Sequence, residues 1–153
     1  MEECRRTHAF NPLIEYEQSC ASNREGTGSL YLCGEYTTTQ LNEHSRAWGA
    51  GAHGEIPVEF KTLNKILAQH NWPQEFDLLV IDVEEAELQV LEGLNLDLWR
   101  PRMMVIELHE LLEEGGKNWK AAPVTQLVSA KGYSKVFADN INTVFVANGP
   151  PAS

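Results

Sequence analysis

Leu78-Leu-Val-Ile-Asp-Val83 is nearly all apolar and bounded by charges, a pattern that predicts a central strand buried on both faces. Met103-Met-Val-Ile-Glu-Leu108 predicts a second buried strand, entered after Pro101 and left into the polar stretch from His109 to Lys117. Between them, Glu84, Glu85 and Glu87 crowd the start of a segment in which Leu88, Leu91 and Leu94 supply an apolar face. Negative charge suits a helix N-terminus, and Gly93 supplies a stop. Upstream, Phe60, Leu63, Ile66, Leu67 and His70 recur at helical spacing and predict a helix that ends near Asn71, before Pro73. Downstream, Val124, Leu127, Val128 and Gly132 mark a short helix and its stop. Tyr133 to Ala138 and Ile141 to Val146 then alternate around Asp139-Asn140, as in a β-hairpin.

The first third of the chain is less regular. Arg5 to Phe10 predicts a short strand running into Asn11-Pro12, and Ile14 to Asn23 a surface helix. Gly26 to Gly28 predict a turn, and Ser29 to Cys33 a strand. Thr37 to Gly54 is polar and glycine-rich, a long loop; Ile56 to Phe60 is a brief edge strand, since Pro57 cannot donate a ladder hydrogen bond. Strands alternating with helices and ending in a hairpin predict an α/β fold with a mostly parallel sheet.

At 153 residues with 42% apolar positions, the chain suits one domain over 1–153. Twenty-two acidic against 12 basic residues give a formal charge of -10, which repels phosphate backbones and anionic lipid headgroups. Neither nucleic acid nor a membrane is an expected partner. No apolar run approaches the roughly 20 residues of a membrane span, and MEECRRTHAF lacks a secretory signal's apolar stretch, so a soluble, cytoplasmic protein is expected. Cys4, Cys20 and Cys33 show no C-x-x-C spacing and are expected to be reduced.

Phe76-Asp-Leu-Leu-Val-Ile-Asp-Val-Glu-Glu-Ala-Glu-Leu-Gln-Val-Leu-Glu-Gly93 resembles the signature of the FkbM methyltransferases, a strand ending in I-D-V-E-G-A-E and a helix ending in V-L-x-G. Val58-Glu-Phe-Lys-Thr-Leu-Asn64 is similar to the family's V-x-x-x-T-L-D, and His8-Ala-Phe-Asn-Pro12 to its A-F-E-P. Val105-Ile-Glu-Leu-His109 resembles its strand ending in E-x-H, and Lys131-Gly-Tyr133 its G-Y. The resemblance implies a class I methyltransferase-like (Rossmann-like) sheet, S-adenosylmethionine as cofactor, and oxygen methylation of a hydroxylated small molecule or sugar. Asn11 stands where the family's acidic residue accepts the cofactor ribose; Asp82 and Glu84 are the further implied cofactor contacts. Asn64 replaces the family's aspartate, and Glu85 the glycine of D-V-E-G. The family's first strand and glycine-rich turn belong before Phe10, where nine residues stand, so weak cofactor binding and a sheet with a partly open edge, prone to self-association, are expected. Gly49-Ala-Gly51-Ala-His-Gly54 satisfies G-x-G-x-x-G but lacks the strand before and helix after that a cofactor loop needs.

Ligands of an open α/β sheet bind beyond the carboxyl ends of its strands, where Asp82, Glu107 and His109 stand. These three are the candidate catalytic residues: a carboxylate can orient a hydroxyl, and a neutral histidine can accept its proton near neutral pH. The bland alternatives are a helix-capping Asp82, a paired Glu107 and an exposed His109. No metal site is expected from ligand spacing; His44 and His53 lie in the polar loop without partners. Trp72 and Trp99 are expected to pack on the core, whereas Trp48 lies in the loop and could meet substrate. Two other functions remain open, a noncatalytic binding or assembly domain and a metal-dependent hydrolase using the acidic residues and His109.

Overall fold

The computed structural model describes residues 2–33, 36–38, 54–109 and 121–149. Helix α1 (Glu2–Thr7) takes the place of the strand expected over Arg5 to Phe10. Its charges explain the difference: Glu2 and Glu3 occupy the first turn and Arg5 and Arg6 the last, complementing the helix dipole. The helix expected from Ile14 to Asn23 is absent. That segment is extended and forms β1 (Cys20–Ala21), parallel to the end of β4 (Gly54–Lys61).

β2 (Gly26–Cys33) includes Gly26 to Gly28, which pair with Phe60 to Val58 as strand rather than forming the expected turn, and it runs antiparallel to β4 and to β3 (Tyr36–Thr38). The first sheet has the order β1-β4-β2-β3, so β4 is an interior strand rather than the expected edge. Proline is tolerated there because β1 reaches only Phe60 and Lys61; at Pro57, β4 has β2 alone beside it. The G-x-G-x-x-G segment, His44, Trp48, His53 and Trp119 fall wholly or mainly outside the described residues.

Helix α2 (Leu63–Gln69) follows, with Thr62 Oγ1 accepting the Lys65 amide at its N-cap. The second sheet comprises β5 (Glu75–Ile81), β6 (Arg100–Glu107), β7 (Tyr133–Ala138) and β8 (Asn142–Ala147), in the order β5-β6-β8-β7. Helices α3 (Glu87–Glu92) and α4 (Ala121–Ala130) lie between its strands in the chain. One core joins Ile81, Met104, Ile106 and Phe145 of this sheet to Val90 and Leu91 of α3 and Val124 and Val128 of α4, all 3% exposed or less.

Parallel pairing is confined, among the described residues, to β1–β4 and β5–β6, so the sheets are mixed rather than mostly parallel. Among the described residues β5 is an edge strand rather than a central one, and Leu78 and Val80 are 47% and 59% exposed. Its apolar run suits burial on two faces, but only the face bearing Leu79 and Ile81 meets the core. Trp72 is also largely exposed, its ring edge-on to Phe76, because it lies just before this open edge; Trp99 is buried as expected. Among the described residues no helix is long and apolar enough to cross a membrane, and Cys4 and Cys20 are free thiols.

The turn after β1 meets the end of α3 at Gly93. A side chain there would run into the backbone carbonyl of Ser22, so Gly93→Ala is expected to lower stability by about 1–3 kcal/mol, read as a fall in denaturant midpoint. A second tie is ionic: His70 Nδ1 meets Glu15, its Nε2 lies 3.4 Å from Glu17, and Glu17 also accepts from Lys61 at 3.1 Å. Glu15 first and Glu17 second raise the His70 pKa above its ordinary 6.5. Because folding raises it, the contribution is complete below 6.5 and is lost as pH climbs through the higher folded value. Hydrogen exchange of residues 14–19, corrected for intrinsic rates, is therefore expected to quicken on passing from neutral to alkaline pH, and His70→Gln to remove that dependence.

Candidate functional site

The parallel register of β5 and β6 sets Ile81 opposite Ile106, so the next residues, Asp82 and Glu107, emerge side by side at the carboxyl ends of the two strands. The chain then turns through Glu84 and Glu85, both left-handed with φ of 48° and 82°. This turn carries Glu84 back over the strand end, and carboxylate oxygens of Asp82, Glu84 and Glu107 all lie within 4.8 Å of one another. Glu87 belongs to the support: it is buried, and its Oε1 accepts the Glu85 amide at 3.1 Å.

His109 completes the group. β6 ends at Glu107, and the amides of Leu108 and His109 both donate to the Ile141 carbonyl, at 2.8 and 3.0 Å. With φ at 49°, His109 turns its ring back so that Nε2 stands 3.0 Å from Glu107 Oε1 while Nδ1 meets the Asn140 carbonyl at 3.1 Å. The Asn140 carbonyl only accepts, so it takes a proton from Nδ1, whereas Glu107 faces Nε2 and donates to it when protonated or accepts from it when ionised. Asp82, Glu107 and His109, expected at one end of the sheet, are thus brought together.

Like charges at this spacing resist simultaneous ionisation. Burial first, then the hydrogen bond and negative charge of Asp82, push Glu107 up to about 7, against the opposing pull of His109. Burial and the charges of Asp82 and Glu87 raise Glu84 as well. Glu107 can therefore both release and accept a proton at neutral pH, as general acid–base chemistry requires. The three carboxylates also offer an oxygen-only donor set of the kind that hard cations such as Mg²⁺ or Ca²⁺ take, a grouping that ligand spacing in the sequence did not announce.

The other matched positions have structural partners. Asn11 lies in the turn after α1, where its Oδ1 accepts the Leu13 amide at 3.0 Å. Asn64 Oδ1 accepts the Asn95 amide at 2.8 Å, tying α2 to the loop after α3. Tyr133 is buried and donates its hydroxyl to the Pro101 carbonyl at 2.9 Å. Sequence reasoning missed Asn140, whose backbone rather than side chain reaches His109; the Asp139-Asn140 turn was legible, but not where it would dock.

The model of the methyltransferase FkbM domain matches residues 1–135. The chain belongs to the FkbM methyltransferase family. Among curated proteins and among solved structures, nothing matches it. Membership places the FkbM domain with methyltransferases in general and suggests the use of a methyl donor. The matched span contains Asp82, Glu84, Glu107 and His109 and ends before the hairpin tip at Asp139.

Membership also explains residue 85. The glycine of the family's D-V-E-G would stand at a φ of 82°, where a side chain costs about 1–2 kcal/mol. Glu85→Gly is therefore expected to raise stability by roughly 1 kcal/mol, after allowing for glycine's greater unfolded-state entropy, as measured by urea denaturation. Glu107 gives a pH dependence of definite sign. Its folded pKa exceeds the ordinary 4.5, so its contribution is complete below that value and is lost as pH rises through about 7. Across this window the melting temperature of wild type is expected to fall relative to Glu107→Gln; parallel curves would contradict the shift.

Proposed function

We propose that this FkbM domain is an S-adenosylmethionine-dependent methyltransferase acting on oxygen of a hydroxylated small molecule or sugar. The observation that carries this reading is the joining of Asp82, Glu107 and His109 at the carboxyl ends of two parallel strands. The parallel β5–β6 pair continued by the antiparallel β8–β7 hairpin supports a class I methyltransferase-like, Rossmann-like assignment for the second sheet.

Asp82 and Glu84 are exposed carboxylates, acceptors that fit the ribose hydroxyls and the cationic methionine part of the cofactor. Asn11 is a poorer contact, since its side-chain oxygen already serves Leu13. The cofactor, when bound, supplies an electrophilic methyl group on a sulfonium. The residues of the chain orient the acceptor hydroxyl and take its proton: ionised Glu107 is the base that meets the hydroxyl, and His109, whose Nε2 lies 3.0 Å from it, receives the proton through that contact.

A second reading, a binding or assembly domain without methyl transfer, is favoured by the internal hydrogen bonds of Asn11 and Asn64 at two positions where the family carries an acid. Cofactor titration separates the two. Calorimetry with S-adenosylmethionine is expected to show binding weaker than micromolar in wild type, weaker still in Asp82→Asn, and none under the second reading. In the methyl-transfer assay with a panel of hydroxylated acceptors, His109→Ala is expected to lower turnover by about 10²- to 10⁴-fold with little change in melting temperature. Equal turnover in wild type, His109→Ala and Asp82→Asn would remove both residues from the mechanism.

Self-association along β5 belongs to the same reading. An antiparallel pair of β5 strands centred on Leu78 would set Phe76 against Val80 and place Glu75 and Asp77 opposite Ile81 and Leu79, with no like charges facing. Sedimentation is expected to show a concentration-dependent dimer that Leu78→Lys, which sets like charges opposite each other at the centre of the pair, abolishes.

A further inference from the structure

The tip between β7 and β8 lies beyond the span matched by the family model, yet it makes more hydrogen bonds to the end of β6 than a passing loop needs. The Ile141 carbonyl accepts the amides of both Leu108 and His109, at 2.8 and 3.0 Å, and the adjacent Asn140 carbonyl accepts His109 Nδ1 at 3.1 Å. Two consecutive carbonyls can aim at one residue only if the tip holds a fixed shape. Asp139 supplies that shape. Its Oδ1 accepts the amides of Ile141 and Asn142 at 2.8 and 2.6 Å, and its own amide donates to the Asn142 carbonyl at 2.9 Å.

We infer that Asp139 is a positioning residue for His109: by closing the hairpin tip it aims the Asn140 carbonyl at Nδ1 and so keeps Nε2 turned toward Glu107. The catalytic meaning of this arrangement rests on the function proposed above; the structural claim does not. Both backbone hydrogen bonds hold the Asp139 carboxyl below its ordinary 3.8, in keeping with a carboxylate committed to the turn. Asp139 itself is exposed and does not touch the Asp82–Glu84–Glu107 group. Its influence runs through backbone geometry, and an unconstrained imidazole would distribute its proton between the two nitrogens.

Nitrogen-15 spectra of the His109 ring in the full chain at mildly alkaline pH test the claim without any turnover. Wild type is expected to show a protonated Nδ1 hydrogen-bonded to the Asn140 carbonyl. Asp139→Ala is expected to give mixed tautomers, while Asp139→Asn, which keeps an oxygen acceptor for both amides, restores the wild-type pattern. If Asp139→Ala proves too unstable for spectroscopy, Asp139→Gly supplies the same deletion of the acceptor at a turn position that tolerates glycine. In the methyl-transfer assay the deletion variant is expected to lose on the order of 10- to 100-fold in kcat with KM little changed. An unchanged tautomer in either deletion variant, or a mixed one in Asp139→Asn, would overturn the inference. Absence of methyl transfer in wild type would overturn the proposed function and leave the tautomer result standing.

Discussion

The structure depends on one register. Parallel pairing of β5 with β6 places Ile81 opposite Ile106, and this alignment does two things at once. It lays the alternate side chains, Leu79 and Ile81 with Met104 and Ile106, on the face covered by α3 and α4. It also brings the first polar residue after each apolar run, Asp82 and Glu107, to the same level. A slip by one residue would turn apolar side chains out of the core and separate the two carboxylates, so the burial that stabilises the sheet also fixes the geometry of the site.

The charged end of this strand pair has a cost in strain and repulsion. Glu84, Glu85 and His109 all adopt left-handed backbone conformations, and three carboxylates share a small volume. Such features persist only where the surroundings determine them strongly. Here the surroundings are identifiable: buried Glu87 holds the Glu85 amide, and the hairpin tip holds the amides of Leu108 and His109. One consequence is a carboxyl at Glu107 that titrates near neutrality; another is an imidazole held at both nitrogens, by the Asn140 carbonyl and by Glu107.

The same sheet leaves one side unfinished among the described residues. β5 has a partner on one edge only, and Leu78, Val80, Met103 and Val146 are each more than a third exposed on the face away from the core. Asp82 and Glu107 follow the alternation of Leu78, Val80, Met103 and Val105, so the acidic group rises from the end of this uncovered face.

The sequence by itself determined the elements whose signals are local. The apolar runs of β5 and β6, the helical spacing of α2 and α3, the stop at Gly132 with its φ of 80° and the Asp139-Asn140 hairpin are all written in neighbouring residues. So was the ordering of Asp82, Glu107 and His109 at strand ends. Tertiary structure alone decided the neighbours. An apolar run looks the same whether one or two strands flank it, which is why β5 read as central, and Pro57 marks only a local lack of pairing, which is why β4 read as an edge. Arg5 to Phe10 and Ile14 to Asn23 have too few apolar positions for periodicity to choose between helix and strand; dipole complementarity settled α1, and pairing with β4 settled β1. Asn140 reaches His109 across 31 residues through a backbone carbonyl, a group that every residue carries. No residue type can announce such a contact, because it comes from where the chain folds rather than from which side chain stands there.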